Sequence, residues 1–169
     1  MKRADLEHII RAAADIANDD EIVIVGSQAI LGRFPDAPAD LLVSEEADVH
    51  AKNLIDGSIG ELSPFHETFG YYAQGIEPGT AILPAGWESR LVVVSNANTR
   101  GAKGLCLEPH DLVVSKAIAG RDKDVRFLRS AIAHGLVDPA VLLERLAATV
   151  VDEARRRAAR DRIEGASPK

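Results

Sequence analysis

The chain has 169 residues, of which 46% are hydrophobic and 27% are charged, and its formal net charge is −6. These values are typical of a globular domain with a substantial core, and they argue against a generally basic nucleic-acid-binding protein. The single cysteine, Cys106, excludes an internal disulfide and a cysteine-rich zinc site. It is typical of a reducing compartment, and neither a membrane span of ~20 apolar residues nor the apolar core of a signal peptide is recognisable, so we expect a cytoplasmic protein.

The first predicted elements are a helix, a strand and a sharp turn. Apolar residues recur at helical spacing over 4–17, and Asn18-Asp19-Asp20 ends that helix. The β-branched run EIVIV, residues 21–25, predicts a strand buried on both faces. It ends in Gly26-Ser27, after which QAIL starts a short helix over 28–32.

The middle of the chain is predicted to be a mixture of loops and short strands. The segment 33–40 holds two prolines and two aspartates and predicts a loop, and VSEEADVHA, residues 43–51, predicts the second strand. The elements expected after it are a weak helix over 53–62, an aromatic-rich extended segment over 65–76, a turn at Pro78-Gly79, a buried strand over 91–94 and a glycine-broken loop over 96–104.

The last third is predicted to be helical. Helices are expected after Pro109, then up to Gly135, and then from Asp138-Pro139, with a charged tail that frays. This order indicates α+β or α/β with a small mixed sheet rather than repeated βαβ units. Without a long linker, we expect a single domain over 1–169, with its core at about 20–135 and a C-terminal helical extension at about 136–169.

Gly26-Ser27 is the first candidate for a functional site. A small turn at a helix start lets backbone N–H groups approach a phosphate, and the Ser27 hydroxyl adds a donor. The alternative is a tight strand-to-helix turn with Ser27 as the N-cap, and for the turn alone this structural interpretation is favoured. Neither a dinucleotide-binding glycine fingerprint nor a phosphate-binding-loop lysine follows the strand.

Glu46 and Asp48 are the second candidate. Side chains at i and i+2 of a strand point the same way, so these two carboxylates are suited to joint coordination of Mg²⁺. The alternative is a solvated strand face or a charged edge, and for the acids alone it is favoured. His50 continues the same face, where a lone histidine is usually a polar neighbour.

The third candidate is the segment EPHDLVVSKAIAGRDKDVRFL. Lys116 and Asp124 are about two helical turns apart by spacing, and Arg121 lies between them. The basic groups are able to meet the charge of a triphosphate, and Asp124 is able to hold Lys116. The alternative is a helix surface with ordinary ion pairs, worth about 0.2–1 kcal/mol each. Asp111 is assigned to a helix start and its dipole.

Together these segments resemble a known family. The order strand, Gly-Ser turn, helix and acid-bearing strand resembles the minimal nucleotidyltransferase fold of the polymerase β superfamily. Within it, VGSQAILG, EADVH and EPHDLVVSKAIAGRDKD resemble bacterial nucleotidyltransferase-like proteins of a domain-of-unknown-function group, which are similar to AbiEii-type toxin components of toxin–antitoxin pairs. The resemblance covers about residues 22–128, and its motifs are short.

The resemblance implies an α+β fold with a mixed sheet, flanking helices and a metal-dependent transfer of a nucleoside monophosphate from a triphosphate to a hydroxyl. The acceptor implied is RNA or a protein side chain, and a toxin role with an antitoxin partner is implied as well. By position, Glu46 and Asp48 match the acids that bind Mg²⁺ or Mn²⁺, and Gly26 and Ser27 match the nucleotide-binding turn. Lys116 and Asp124 match catalytic residues of the late helices, and Arg121 joins Lys116 as a phosphate-binding candidate.

Two departures keep a second function open. The first acid is Glu46 where the superfamily favours Asp, and a third acid from a later strand has no obvious counterpart, although Glu67 and Glu77 are available. These departures favour a nucleotide- or partner-binding module without catalysis, of the kind found as half of a toxin–antitoxin pair. A third interpretation is a small α/β protein whose acids only solvate a strand.

Overall fold

A computed structural model describes residues 1–51, 57–77 and 79–166. Contacts divide the chain into two compact units: a sheet unit of residues 1–80 and 91–108, and a helical unit of residues 81–90 and 109–169. The helices and strands of the described ranges are α1 (Arg3–Ala17), β1 (Glu21–Ile24), α2 (Ile30–Arg33), β2 (Glu46–His50), α3 (Pro64–Phe69), β3 (Tyr72–Gly75), β4 (Val92–Val94), β5 (Lys103–Cys106), α4 (Pro109–Ala119), α5 (Asp122–Ala133), α6 (Pro139–Ala147) and α7 (Glu153–Ala166).

The sheet is mixed, with the strand order β3-β2-β1-β5-β4. β1 is antiparallel to β2 and parallel to β5, β2 is parallel to β3, and β4 is antiparallel to β5. The predicted α+β class with a small mixed sheet is confirmed.

One face of the sheet forms the core of the sheet unit. Ile24 lies opposite Val49 in the β1–β2 register, and both side chains are fully buried. Gly104 in β5 lets α1 approach the sheet closely, because a Cβ at this position would lie 2.3 Å from the Ile10 Cδ1 of α1. Val23 faces the other way and is partly exposed, so burial of EIVIV on both faces is not observed. The opposite face carries the polar side chains of Glu46, Asp48 and His50 on β2, and the apolar side chains of Val23, Val93 and Leu105 on β1, β4 and β5.

The helical unit is held by a buried carboxylate. Asp111, in the first turn of α4, has no exposed surface, and its Oδ2 and Oδ1 accept hydrogen bonds from Arg90 Nε at 2.8 Å and Arg145 Nη1 at 2.7 Å. Two arginines from outside α4 thus satisfy a charge that burial alone would penalise. The assignment of Asp111 to a helix start is confirmed.

The charged tail is a packed helix up to Ala166, so the expectation that it frays is wrong. Ile163 of α7 is fully buried. Arg162 donates to the Ala117 carbonyl at 2.8 Å, and Arg156 donates to the carbonyl of Leu146 at 2.8 Å. The Arg162 bond satisfies a carbonyl in the last turn of α4, where intrahelical donors run out. The Arg156 bond adds a donor to the Leu146 carbonyl of α6, which also accepts from the Thr149 N–H at 3.1 Å.

Three other predictions are wrong in part. The segment 65–76 begins as helix α3, because Ser63 Oγ accepts from the His66 N–H, Pro64 follows it and Gly70 ends the helix at φ 75°. The segment 96–104 contains the start of β5. Residues 57–62 form turns rather than a helix, and the rest of that predicted helix, like Pro78, lies outside the described residues. The single-domain division stays a prediction.

Among the described residues, no helix combines the length and the apolar character that a membrane crossing requires.

Candidate functional site

The turn after β1 places small backbone groups next to β2. The Val25 N–H donates to the Asp48 carbonyl at 3.0 Å, and the chain then turns at Gly26 into a short 3₁₀ turn over Ser27–Ala29. Gly26 holds the N-cap position, with φ −75° and ψ −169°, and no side chain caps the turn. Ser27 as an N-cap is therefore wrong. Its hydroxyl makes no hydrogen bond within the described ranges, so this donor is available to a ligand.

The Asp48 carboxylate packs directly against Gly26. A Cβ at position 26 would lie 1.8 Å from Asp48 Oδ2 and 3.0 Å from Asp48 Cβ. Only glycine leaves room for this carboxylate. The predicted turn and the second predicted acid are thus adjacent, and this contact is the central feature of the candidate site.

Glu46 and Asp48 share one face of β2. Ala47 and Val49, which alternate with them, are fully buried, whereas both acids are partly exposed. The Asp48 carboxylate makes no hydrogen bond or ion pair with any described residue. His50 extends the same face, and its Nδ1 lies 3.0 Å from the Ile76 carbonyl oxygen, as expected of a polar neighbour.

The strand beside β2 supplies no third acid. In the parallel β2–β3 register, Tyr72 lies opposite Glu46, and Gln74 lies opposite Asp48. Burial raises the pKa of the Tyr72 phenol, and the charge of Glu46 raises it further, which keeps this hydroxyl protonated. Glu67 and Glu77 are exposed, Glu67 on α3 and Glu77 beyond the end of β3.

Gln28 is a polar residue that sequence reasoning missed. It is fully buried just after the turn, and its Nε2 donates to the Ser44 carbonyl at 2.9 Å. Its Oε1 has no hydrogen-bond partner in the described part of the chain. A glutamine within an otherwise apolar QAIL helix start was the signal available in the sequence.

The donor set fits a magnesium ion that also binds a substrate. No group of three His, Cys, Asp or Glu side chains among the described residues is placed to hold a metal. Mg²⁺ is commonly bound by one or two carboxylates together with substrate phosphates, and does not need an all-protein cage. Glu46 and Asp48, on one strand face, are such a pair.

The third candidate forms a separate cluster in the helical unit. Lys116 Nζ lies 3.1 Å from Asp124 Oδ1, and Arg121 Nε lies 2.6 Å from Asp124 Oδ2. The two residues are not on one helix as the spacing suggested: α4 ends at Ala119, Gly120 follows at φ 67°, and Asp124 lies in the first turn of α5. Asp124 has no exposed surface, so an ordinary surface ion pair does not describe this cluster.

Charge determines the protonation of Asp124. Burial pushes its pKa upward, but the hydrogen bond from Arg121 and the charge and hydrogen bond of Lys116 outweigh burial, and the pKa falls below its ordinary value. Lys116 Nζ also lies 5.6 Å from the centroid of the Phe127 ring. Asp124 therefore holds Lys116 in place, as expected, whatever Lys116 binds.

The structure thus brings sequence-predicted residues into contact at two places, one in each unit. Gly26 meets Asp48 in the sheet unit, and Lys116 and Arg121 meet Asp124 in the helical unit. The resemblance leads one to expect a mixed sheet in which the Gly-Ser turn lies beside the acid-bearing strand, and Gly26 lies beside Asp48 of β2 in this way.

The chain belongs to a family described as nucleotidyltransferase of unknown function (DUF6036), whose family model matches residues 4–163. No curated protein and no solved structure matches this chain.

Proposed function

We propose that the protein is a metal-dependent nucleotidyltransferase that moves a nucleoside monophosphate from a triphosphate onto a hydroxyl. The observation that supports this most strongly is the contact between the Gly26 turn and the Asp48 carboxylate. A phosphate-binding backbone and a cation-binding carboxylate are needed next to one another in such a reaction.

In the proposed reaction, the acceptor oxygen forms a bond to the α-phosphorus while the bond from that phosphorus to the pyrophosphate oxygen breaks. Pyrophosphate leaves, and the hydroxyl proton passes to solvent. Gly26 and Ser27 bind the phosphates through backbone N–H groups and the Ser27 hydroxyl, and Glu46 and Asp48 hold Mg²⁺ or Mn²⁺. The metal, when bound, lowers the charge repulsion between the triphosphate and the attacking oxygen.

Phosphate binding by Lys116 and Arg121 is a further part of the proposal. Lys116 is only 12% exposed and is held by Asp124, whereas the Arg121 side chain is 62% exposed. Arg121 is therefore the better placed of the two to reach a ligand in solution, and Lys116 contributes its charge from a fixed position. We also propose a role as a toxin component with an antitoxin partner, which is supported by the resemblance alone.

A second candidate function is a nucleotide- or partner-binding module without turnover. It is favoured by the strand that pairs with β2, because β3 places Tyr72 and Gln74, and no third carboxylate, opposite the two acids. The two candidates share the binding site and differ in catalysis, so one assay separates them.

The test is transfer of a labelled nucleoside monophosphate to total RNA or to protein, with Mg²⁺, Mn²⁺ or chelator. We expect metal-dependent transfer that falls about 100-fold or more in Asp48→Asn. The matched control is Asp36→Asn, which removes an exposed carboxylate elsewhere in the sheet unit and should leave transfer unchanged. Triphosphate binding without transfer to any acceptor would favour the module, and metal-independent transfer would contradict the assignment of Glu46 and Asp48.

A further inference from the structure

The net charge of −6 is distributed unevenly along the chain. The residues of the sheet unit carry seven Lys and Arg against sixteen Asp and Glu, a net charge of −9, whereas those of the helical unit carry thirteen against ten, a net charge of +3. The acidic balance that argues against nucleic-acid binding therefore belongs to the sheet unit alone. A basic interaction surface on the helical unit is compatible with an acidic chain.

Several cations of the helical unit have internal roles. Arg90 and Arg145 bind the buried Asp111, and Lys116 and Arg121 bind the buried Asp124. Arg156 and Arg162 donate to backbone carbonyls near helix ends. These six cations all have partners inside the unit, so we do not count them toward a separate interaction surface.

Five other cations have no such role. They are exposed, and none makes a hydrogen bond or ion pair with a described residue; they are Lys123, Arg126 and Arg129 of α5, and Arg157 and Arg160 of α7. We call these five residues the arginine face. The helices α5 and α7 pack against each other, so the five lie on neighbouring elements of one unit.

Two acids one helical turn from these cations form no ion pairs with them in the described helices. Asp122 precedes Arg126 by one helical turn, and Asp161 follows Arg157 by one turn, yet neither pair forms an ion pair within the described helices. Exposed pairs of this kind are worth at most about 1 kcal/mol. The arginines thus remain able to bind an external polyanion at little cost.

We propose that the arginine face binds the phosphate backbone of RNA. The choice of RNA over another polyanion rests on the proposed function, which requires an acceptor with hydroxyl groups. The only aromatic side chain of α5 is Phe127, which is buried, and α7 has none. Contact is therefore with phosphates rather than by base stacking, and binding tolerates different sequences.

The test measures binding alone. Fluorescence polarisation of a labelled mixed-sequence RNA is recorded with the full chain over a range of salt concentrations, without triphosphate or metal. The variant Arg126→Glu/Arg129→Glu should raise the Kd at least about tenfold. It should also reduce the slope of log Kd against log salt by about 2, because each lost phosphate contact lowers that slope by about 1. The control Arg33→Glu/Arg100→Glu makes the same charge change at exposed residues of the sheet unit and should leave Kd nearly unchanged.

Several results would overturn this inference. One is the absence of RNA binding at low salt, and another is equal weakening of RNA binding by both double variants. A third is binding of polyglutamate as tight as binding of RNA with the same charge, because that result would indicate an acidic protein partner. Lys123→Glu/Arg157→Glu provides a second variant if the first does not fold. Since the binding assay contains no triphosphate, RNA binding can be observed even if transfer fails. Conversely, transfer to RNA together with unchanged RNA binding in the variants would contradict this inference and leave the proposed function intact.

Discussion

Gly26 is the residue at which the backbone and the proposed chemistry meet most closely. Its lack of a side chain creates the space that the Asp48 carboxylate occupies, since a Cβ would lie 2.7 Å from Asp48 Cγ. The φ of Gly26 is −75°, which any residue can adopt, so the requirement for glycine comes from close approach rather than from backbone strain.

Gly26→Ala should therefore abolish the proposed activity while the protein still folds. We expect the Asp48 side chain to be displaced, transfer and triphosphate binding to be lost, and the free energy of unfolding to fall by about 1–3 kcal/mol, as for an overpacked site. Urea unfolding and the transfer assay measure the two effects. Gly57→Ala is the matched control, because a Cβ there meets nothing within 4 Å. Full activity in Gly26→Ala would contradict the proposed adjacency of turn and metal.

Glu7 is a buried carboxylate with a structural role. It is 5% exposed and accepts hydrogen bonds from Asn96 Nδ2 at 2.8 Å, Asn98 Nδ2 at 2.8 Å and Arg3 Nε at 2.9 Å. Burial raises the pKa of Glu7, but these hydrogen bonds and the Arg3 charge outweigh burial and lower it below its ordinary value of 4.5. The ionised form therefore stabilises the fold by joining α1 to the turn between β4 and β5.

This contribution should depend on pH. Because the pKa is lower in the folded state, the stabilisation is present above pH 4.5 and is lost as pH falls through the folded pKa. At pH 7, Glu7→Gln should reduce the free energy of unfolding by roughly 1–3 kcal/mol, and the difference from the wild type should shrink below pH 4.5. Urea titrations at several pH values check this, with the exposed Glu88→Gln as control. A difference independent of pH would contradict the ionised state of Glu7.

At the scale of elements, the junction of α4 and α5 depends on one ion cluster. Asp124 is fully buried, so removing its charge leaves Lys116, which is 12% exposed, without a counter-ion. The Arg121 side chain is 62% exposed and can turn to solvent. The penalty should therefore come from Lys116.

Asp124→Asn should reduce the free energy of unfolding by about 3 kcal/mol, at the lower end of the range for breaking a buried ion pair. The double variant Lys116→Met/Asp124→Leu should recover much of the loss, because no buried charge remains unpaired. Chemical unfolding measures both variants, and the exposed Asp122→Asn on the same helix is the control. A loss in the double variant as large as in Asp124→Asn would show that packing, rather than charge, dominates this junction.

Elements were predictable from sequence where local signals decide them. Helical spacing identified α1 and α5, the start signals Pro109 and Asp138-Pro139 identified α4 and α6, and alternation identified β2. The helix α3 had its own local signals, Ser63-Pro64 and Gly70, and its assignment as extended was an error of interpretation. By contrast, β5 contains Gly104, which is disfavoured in strands and is explained only by the contact with Ile10. The ordered tail likewise depends on tertiary contacts of Arg156 and Arg162.

At the scale of the whole molecule, the sequence predicted the residue types of the candidate site but not their contacts. That Asp48 reaches Gly26 depends on the β1–β2 register, which places Ile24 opposite Val49, and no spacing rule sets this register through a long loop. The pairing of Lys116 with Asp124 was expected, but across two helices rather than along one. The opposite net charges of the sheet unit and the helical unit were hidden in the total of −6.

The most direct test of the central claim is a crystal structure of the protein with Mg²⁺ and a non-hydrolysable nucleoside triphosphate. We predict phosphate oxygens against the Gly26-Ser27 turn and a cation in contact with both the phosphates and the Asp48 carboxylate. A triphosphate bound elsewhere, or bound at the turn with neither Glu46 nor Asp48 contacting a cation, would contradict the account.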